Sequence, residues 1–163
     1  LRERENVEPE MRRAKPTDWM AIGELATALV GFEADRLASF EAVLADPDHD
    51  LIVAEADGAV VGYAHLMTYH DLSHGALAGD LLGLAVREDF RRQGIGRRLL
   101  SEVMRLAKER GVGEFHINTE PDNEDAQRLY RSLGAEIVGI QMEIDLGGKS
   151  GAGNGESPTE RID

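Results

Sequence analysis

The sequence predicts a single α/β domain, and three stretches predict it. In the first, LLGLAVREDFRRQGIGRRLL at residues 81–100, five of the six residues from Leu81 to Val86 are apolar and read as a buried strand interrupted by Gly83. Ile95, Leu99, Val103 and Ala107 then recur at helical spacing, so a strand passes through a glycine turn into a helix. In the second, Asp57-Gly58 separates the apolar runs 51–56 and 59–70, a strong hairpin signal because this pair accepts positive φ at both turn positions. The third is a pair of amphipathic helices ahead of that hairpin. A chain of 163 residues, 42% hydrophobic and 30% charged, has the length and composition of one globular domain with a substantial core.

Taken in order, residues 1–10 are charged and aperiodic and are expected to form a mobile leader. The first strand follows at 11–14. Pro16-Thr17-Asp18 is a helix start with Thr17 as the N-cap, and Trp19, Ile22, Leu25, Ala26 and Leu29 make the apolar face of a helix that Gly31 ends. Leu37, Phe40, Val43 and Leu44 mark a second helix over 33–45, stopped by Asp46-Pro47. In the second hairpin strand Val61, Tyr63, His65, Met67 and Tyr69 alternate onto one face, where His65 is placed to line a site, and Gly62 marks a bulge. After the central helix, which Arg110-Gly111 ends, a strand is expected at 114–118. Pro121-Asp122-Asn123 opens a short helix capped by Asp122 or Asn123, with Ala126, Leu129, Tyr130 and Leu133 on its apolar side and Gly134 closing it. Residues 135–146 read as a final strand or strand pair, which brings the sheet to six or seven strands with helices on both faces. From Gly147 the chain is glycine and polar residues, a disordered tail. The expected domain is therefore 11–146, between a leader at 1–10 and a tail at 147–163.

The net charge of −13 is unevenly spread. Residues 16–86 carry twelve acids against one base, Arg36; residues 87–110 carry eight bases against four acids; residues 111–146 carry eight acids against two bases. A phosphate-rich ligand at the basic island and a cationic one elsewhere fit this distribution through complementary fields, and surface solubility accounts for the acidity equally well. Nucleic acid is disfavoured, because neutralising a phosphate backbone takes a broad basic footprint rather than one helix. No apolar run approaches membrane-spanning length, so no membrane partner is expected. With no cysteine there is neither a disulfide nor a thiolate nucleophile, which is compatible with a cytoplasmic location. His70, Asp71 and His74 lack a fourth ligand, and no metal is expected.

The chemistry concentrates at Arg91-Arg92-Gln93-Gly94-Ile95-Gly96. A helix N-terminus carries unpaired N–H groups and the positive end of a dipole, and glycines let a ligand approach the backbone closely. Arginines at 91, 92, 97 and 98 reinforce that polarity, so the turn is built for an anion such as phosphate. Neither a GxxxxGKS/T loop nor GxGxxG is present, which argues against nucleoside triphosphates and dinucleotides.

At these residues the chain resembles the GNAT superfamily of acetyl-CoA-dependent N-acetyltransferases, whose pyrophosphate loop, Gln/Arg-x-x-Gly-x-Gly/Ala, is matched by Arg91, Gly94 and Gly96. DNEDAQRLYRSLGA looks like the family's second cofactor segment, an Asn, then Ala, then Tyr and a Leu-Gly turn. The resemblance implies a mixed, mostly antiparallel sheet, acetyl-CoA as acyl donor, and direct attack of an amine on the thioester. It implies donor contacts at Leu84, Ala85 and Val86 on the central strand, at Arg91, Arg92, Gln93, Gly94, Ile95 and Gly96 in the loop, and at Asn123, Ala126 and Tyr130. Tyr130 is then the proton donor to sulfur, a sensible acid because a phenol near pKa 10 stays protonated at neutral pH.

Asp80 stands six residues before Val86, at the expected start of the strand, where several family members place a catalytic glutamate. It is one methylene shorter and would act through a water; starting the strand or binding a cation explains it equally. The wall of the acceptor site implied by the resemblance is the first two helices and their connection, with Glu33, Asp35 and Glu41 as acidic contacts. Glu143 and Asp145 alternate along the last expected strand and form another acidic pair. A weaker resemblance, to GNAT-type aminoglycoside 3-N-acetyltransferases, rests on that acidic strand and on LAV followed by RRQGI; Gly83 departs from it, where those enzymes have Asp. The implied function is acetyl transfer to a primary amine of a small cationic molecule, an aminoglycoside being the most specific reading, by a protein that could form a homodimer. Acetylation of a protein lysine or N-terminus, and a non-catalytic acyl-CoA-binding module, stay open beside it.

Overall fold

The structure is a computed structural model describing residues 8–31, 33–144 and 146–147. Most of the expected leader, the tail beyond residue 147 and Asp145 lie outside the described residues.

Five strands make one sheet in chain order: β1 (Glu10–Arg13), β2 (His49–Ala56), β3 (Ala59–Asp71), β4 (Ala76–Val86) and β5 (Glu114–Ile117). The first four pair antiparallel and β5 joins β4 in parallel. Helices α1 (Trp19–Val30) and α2 (Leu37–Ala45) cover one face, where Ile22, Leu25 and Phe40 meet Leu51, Val53 and Tyr63. Helices α3 (Ile95–Glu109) and α4 (Glu124–Ser132) cover the other, where Ile95, Leu99, Leu100, Val103 and Tyr130 meet Ile52, Val61, Ala64, Leu66 and Leu81. The hairpin forms at Asp57-Gly58, both at positive φ (51° and 75°), the geometry that twists with its flanking strands.

Two bulges set which side chains face which layer. The β2–β3 register slips between Ala54 and Glu55, so Val61 and Gly62 turn to the α3 face while Tyr63 keeps the α1 face. Strict alternation placed Val61 beside Tyr63; the extra residue moves it across. A Cβ on Gly62 would stand 2.9 Å from the Ala85 carbonyl oxygen and 3.1 Å from Leu99, so only glycine lets β3, β4 and α3 close at this point. The second slip opposes Leu66 to Leu81 and His65 to Gly83, leaving Leu82 as the extra residue of β4.

Several boundaries differ from the sequence reading. Thr17 lies inside a 3-10 turn, and Asp18 is the residue that flanks α1: its carboxylate accepts the Lys15 N–H (2.7 Å) and two Arg12 guanidinium N–H groups (2.7 and 3.0 Å), tying β1 to the helix start. Helix α2 begins at Leu37 rather than residue 33, because residues 33–36 offer no apolar side chain to the sheet; Glu33 and Asp35 are therefore exposed loop residues. Strand β4 starts at Ala76, so Asp80 sits inside a strand rather than at its start. No strand forms among the described part of residues 135–146, and the sheet has five strands among the described residues where six or seven were expected. Ile137, Val138, Ile140, Met142 and Ile144 are 82–92% exposed there. Alternation marks a strand only where a neighbouring edge takes its backbone, and no described strand pairs with this segment.

On β2, opposite Leu66, Asp50 is fully buried and held by two arginines: Arg13 bonds its Oδ1, and Arg110 Nη2 lies 2.7 Å from its Oδ2 as an ion-pair contact off the line of a hydrogen bond. Arg110 also donates to the Pro47 carbonyl (2.7 Å). This pins the C-terminal end of α3 to β2, in the row of Leu66 and Leu81, so the helix N-terminus lies toward the Val86 end of β4.

Candidate active site

Strands β4 and β5 stay paired only from Ala78↔Glu114 to Leu81↔Ile117. Beyond that pair β4 bulges at Leu82 and continues to Val86 bonded to β3 alone. The edge of β4 vacated by β5 is the mouth of a fork. Arg87 N–H donates to the Val61 carbonyl on β3 (2.8 Å). By strand alternation the N–H groups of Val86 and Leu84 point the other way, into the fork, while that of Ala85 faces β3. The Leu84 and Val86 side chains lie on the α3 face and Ala85 on the α1 face.

The phosphate-type loop closes the wide end of this fork. Arg91 Nε donates to the Val86 carbonyl (3.0 Å), bringing the loop to the same edge. Arg92 takes φ 60°, and Gly94, at φ 80° with open space beside it, flanks α3. The first intrahelical bond is Arg98 N–H to Gly94 carbonyl (3.0 Å), so Ile95, Gly96 and Arg97 present N–H groups without acceptors within the helix. Ile95 is buried in the core, Arg92 reaches Asp125 on α4 (3.4 Å), and Gln93 donates to the Asp89 carbonyl (3.3 Å). A Cβ on Gly96 would find Leu129 and Val86 at 3.8 Å, ordinary contact, so the packing of α3 on α4 does not by itself demand glycine there. An exposed cluster of cationic side chains, a left-handed glycine and a helix N-terminus together fit a pyrophosphate.

Helix α4 lies beside that N-terminus. Asn123 is its cap, the side-chain oxygen accepting the Ala126 N–H (3.2 Å). Tyr130 is buried, and burial raises its pKa; no hydrogen bond holds its hydroxyl among the described residues.

At the narrow end of the fork, three neighbouring strands deliver polar groups to one point. Tyr69 on β3 donates its hydroxyl to Asp80 Oδ1 (3.2 Å) on β4, and His116 Nδ1 on β5 lies 3.1 Å from the same oxygen and 3.2 Å from the Tyr69 hydroxyl. The Tyr69 pKa is raised, first by desolvation and then by Asp80. These groups share the α1 face of the sheet with Tyr63. Neither His116 nor the Tyr69 contact was legible in the sequence; the signal was a polar residue at the middle of a short strand, meaningful only once Asp80↔His116 is the register. His65 does not join this group: its ring nitrogen lies 2.8 Å from His49 Nδ1, and burial, then His49, pushes its pKa down to about 4. Glu33, Asp35 and Glu143 are exposed, and the strand face meant to pair Glu143 with Asp145 is not formed among the described residues. No three His, Asp or Glu side chains among the described residues gather as a metal site, and no described helix is long and apolar enough to cross a membrane.

A forked parallel pair at one edge of the described mixed sheet, with a helix start suited to an anion at its mouth, defines an acyl-CoA-binding fold. The model of the Acetyltransferase (GNAT) family matches residues 11–135, and the chain belongs to that family. It is an acetyl-CoA-dependent N-acetyltransferase. It is similar to aminoglycoside N(6')-acetyltransferase type 1 of Serratia marcescens, 35% identical over 122 residues that cover 71% of this chain and 82% of the relative. The protein of the same name from Stenotrophomonas maltophilia is 30% identical over 145 residues, 84% of this chain and 95% of the relative. The N-alpha-acetyltransferase RimI of Mycobacterium tuberculosis is 33% identical over 116 residues, 71% and 70% of the two chains. Among solved structures, AAC(6')-Iy in complex with the bisubstrate analog CoA-S-monomethyl-acetylneamine superposes with a TM-score of 0.74 at 25% identity, covering 84% of this chain and 97% of that one. The aminoglycoside relatives carry the N(6') designation rather than 3-N.

Proposed function

We propose that this chain acetylates a primary amine of a small polycationic acceptor, an aminoglycoside, in the cytoplasm, where acetyl-CoA is available. What carries the reading is the acidic α1 face at the narrow end of the fork, where Asp80 and Glu114 lie in a cluster with His116, together with the kinship to aminoglycoside N(6')-acetyltransferases.

Each residue group then has a task. The N–H groups of Ile95, Gly96 and Arg97, with Arg91, Arg92 and Gln93 around them, hold pyrophosphate. Leu84 and Val86 N–H, aimed into the fork, hold the arm that follows it and the carbonyl to be attacked. Asn123 and Ala126 shape the α4 side. Bound acetyl-CoA supplies the acetyl thioester. Tyr130, kept protonated by burial, gives its proton to the departing sulfur. Asp80 supplies negative charge on the side from which the amine enters, and Glu33 and Asp35, with Glu143 and Asp145, receive the acceptor's other ammonium groups.

The test is a panel of amines with acetyl-CoA, following thiol release. Turnover of kanamycin-like or gentamicin-like acceptors, with peptides inert, supports the reading. Preference for a peptide N-terminus or lysine, the reading the RimI likeness favours, overturns it, and absence of any turnover with intact acetyl-CoA binding marks a non-catalytic module.

A further inference from the structure

We propose that His116 is the proton acceptor of this site and that Asp80 and Tyr69 are the residues that position it, an inference that rests on the amine-acetylating reading above. Asp80↔His116 is the last register pair but one before β4 and β5 part, so the three side chains stand at the apex of the fork. Asp80 Oδ1 is the meeting point of the Tyr69 hydroxyl (3.2 Å) and His116 Nδ1 (3.1 Å). A carboxylate accepts only, so the proton of a neutral His116 ring sits on Nδ1 and the lone pair on Nε2. Glu114 Oε2 lies 3.6 Å from Nε2, too far to occupy that nitrogen with a hydrogen bond. The remaining titratable neighbours are Asp71 and His74, bonded to each other in the β3–β4 turn. Asp80 Oδ1 is already occupied by two hydrogen bonds, whereas none occupies His116 Nε2 among the described residues, and imidazole is the side-chain type suited to proton transfer at neutral pH.

The acceptor ammonium passes one proton through a water to His116 Nε2, which frees the nitrogen lone pair, and Asp80 neutralises the imidazolium. As the C–N bond forms and the C–S bond breaks, Tyr130 protonates the departing thiolate. The nitrogen's second proton leaves through solvent and restores the Tyr130 hydroxyl, so protons balance with one released per turnover.

His116→Gln, Asp80→Asn and Tyr69→Phe test this with three readouts. In the protein without ligands, proton NMR should show a downfield Nδ1–H resonance that disappears in His116→Gln and moves in Asp80→Asn. With the best amine of the panel, kcat/KM at pH 7 should fall about 10²-fold in His116→Gln, lose the acidic limb of its pH profile, and recover in part with added imidazole. The slow enzyme-catalysed hydrolysis of acetyl-CoA, in which water replaces the amine, should lose the same limb. His116→Gln with an unchanged pH limb and turnover within about threefold of wild type overturns the assignment, as does a wild-type spectrum without the Nδ1–H resonance. If no aminoglycoside is acetylated by wild type, the acceptor reading fails by itself, and the resonance and the hydrolysis profile still decide for or against His116.

Discussion

The Tyr63 hydroxyl stands where a side chain on Gly83 would begin: a Cβ there lies 2.9 Å from the phenolic oxygen and 3.1 Å from Cε2. Tyr63 is buried, and burial raises its pKa, so the ring cannot swing out cheaply. Gly83 is also the position at which this chain departs from the 3-N-acetyltransferase pattern, and the departure has a physical partner, an aromatic ring laid over β4. Gly83→Ala is expected to cost about 1–3 kcal/mol through overpacking, measured by urea unfolding. Tyr63→Leu in the same chain should return most of that loss, a positive coupling in a double-mutant cycle. An additive pair shows that the ring does not set the glycine requirement.

Gln93→Glu separates anion binding from folding. The substitution is isosteric and exposed; it gives up the exposed bond from Gln93 to the Asp89 carbonyl, while a negative charge just ahead of α3 favours the helix dipole, so the melting temperature should change little. The same charge faces the proposed pyrophosphate, and acetyl-CoA affinity should fall about tenfold by calorimetry, less so in high salt. Unchanged affinity moves the pyrophosphate away from this turn.

Tyr130→Phe removes a hydroxyl that makes no hydrogen bond among the described residues, so stability should change by less than about 0.5 kcal/mol. If that hydroxyl protonates sulfur, kcat should nevertheless drop about 10²-fold with acetyl-CoA affinity intact. Loss of stability without loss of turnover returns Tyr130 to packing alone.

The elements legible in the sequence were those whose signals are local. Asp57-Gly58 declared its turn because both residues needed positive φ, and Ile95, Leu99, Val103 and Ala107 declared α3 because one stripe faces one core. What depended on distant partners was not legible. The bulge that moves Val61 across the sheet arises from the β2–β3 register, and His116 becomes a site residue only through its pairing with Asp80. Thr17 falls inside a 3-10 turn rather than capping α1, and Asp18, which flanks the helix, spends its carboxylate on Arg12 of β1 and the Lys15 N–H instead of capping it. The exposed alternation from Ile137 to Ile144 carries a strand's pattern with no described neighbour to complete it.

The acid side of the stability curve should show separable losses, and two of the displaced groups, His65 and Asp18, are displaced for different reasons. His65 is pushed down to about 4 in the folded chain by burial and then by His49, against about 6.5 when unfolded. Its neutral form is the folded one, so the stability it contributes is whole above pH 6.5 and is lost as pH falls toward 4, at up to about 1.4 kcal/mol per pH unit. Asp18 is held below the usual carboxylate range first by its hydrogen bonds to Arg12, with burial opposing. Its contribution is whole above an unfolded pKa near 3.9 and disappears only as pH falls further, through its depressed folded value. His65→Gln should therefore flatten the curve between pH 6.5 and 4 and leave the steeper loss below 4. Asp18→Asn should lower stability at pH 7 by about 1.5–3 kcal/mol, the worth of a hydrogen bond to a charged group, and diminish the loss below pH 4 instead. Urea midpoints taken at half-unit intervals from pH 8 to 3 measure both; a wild-type curve flat from 6.5 to 4 contradicts a neutral buried His65.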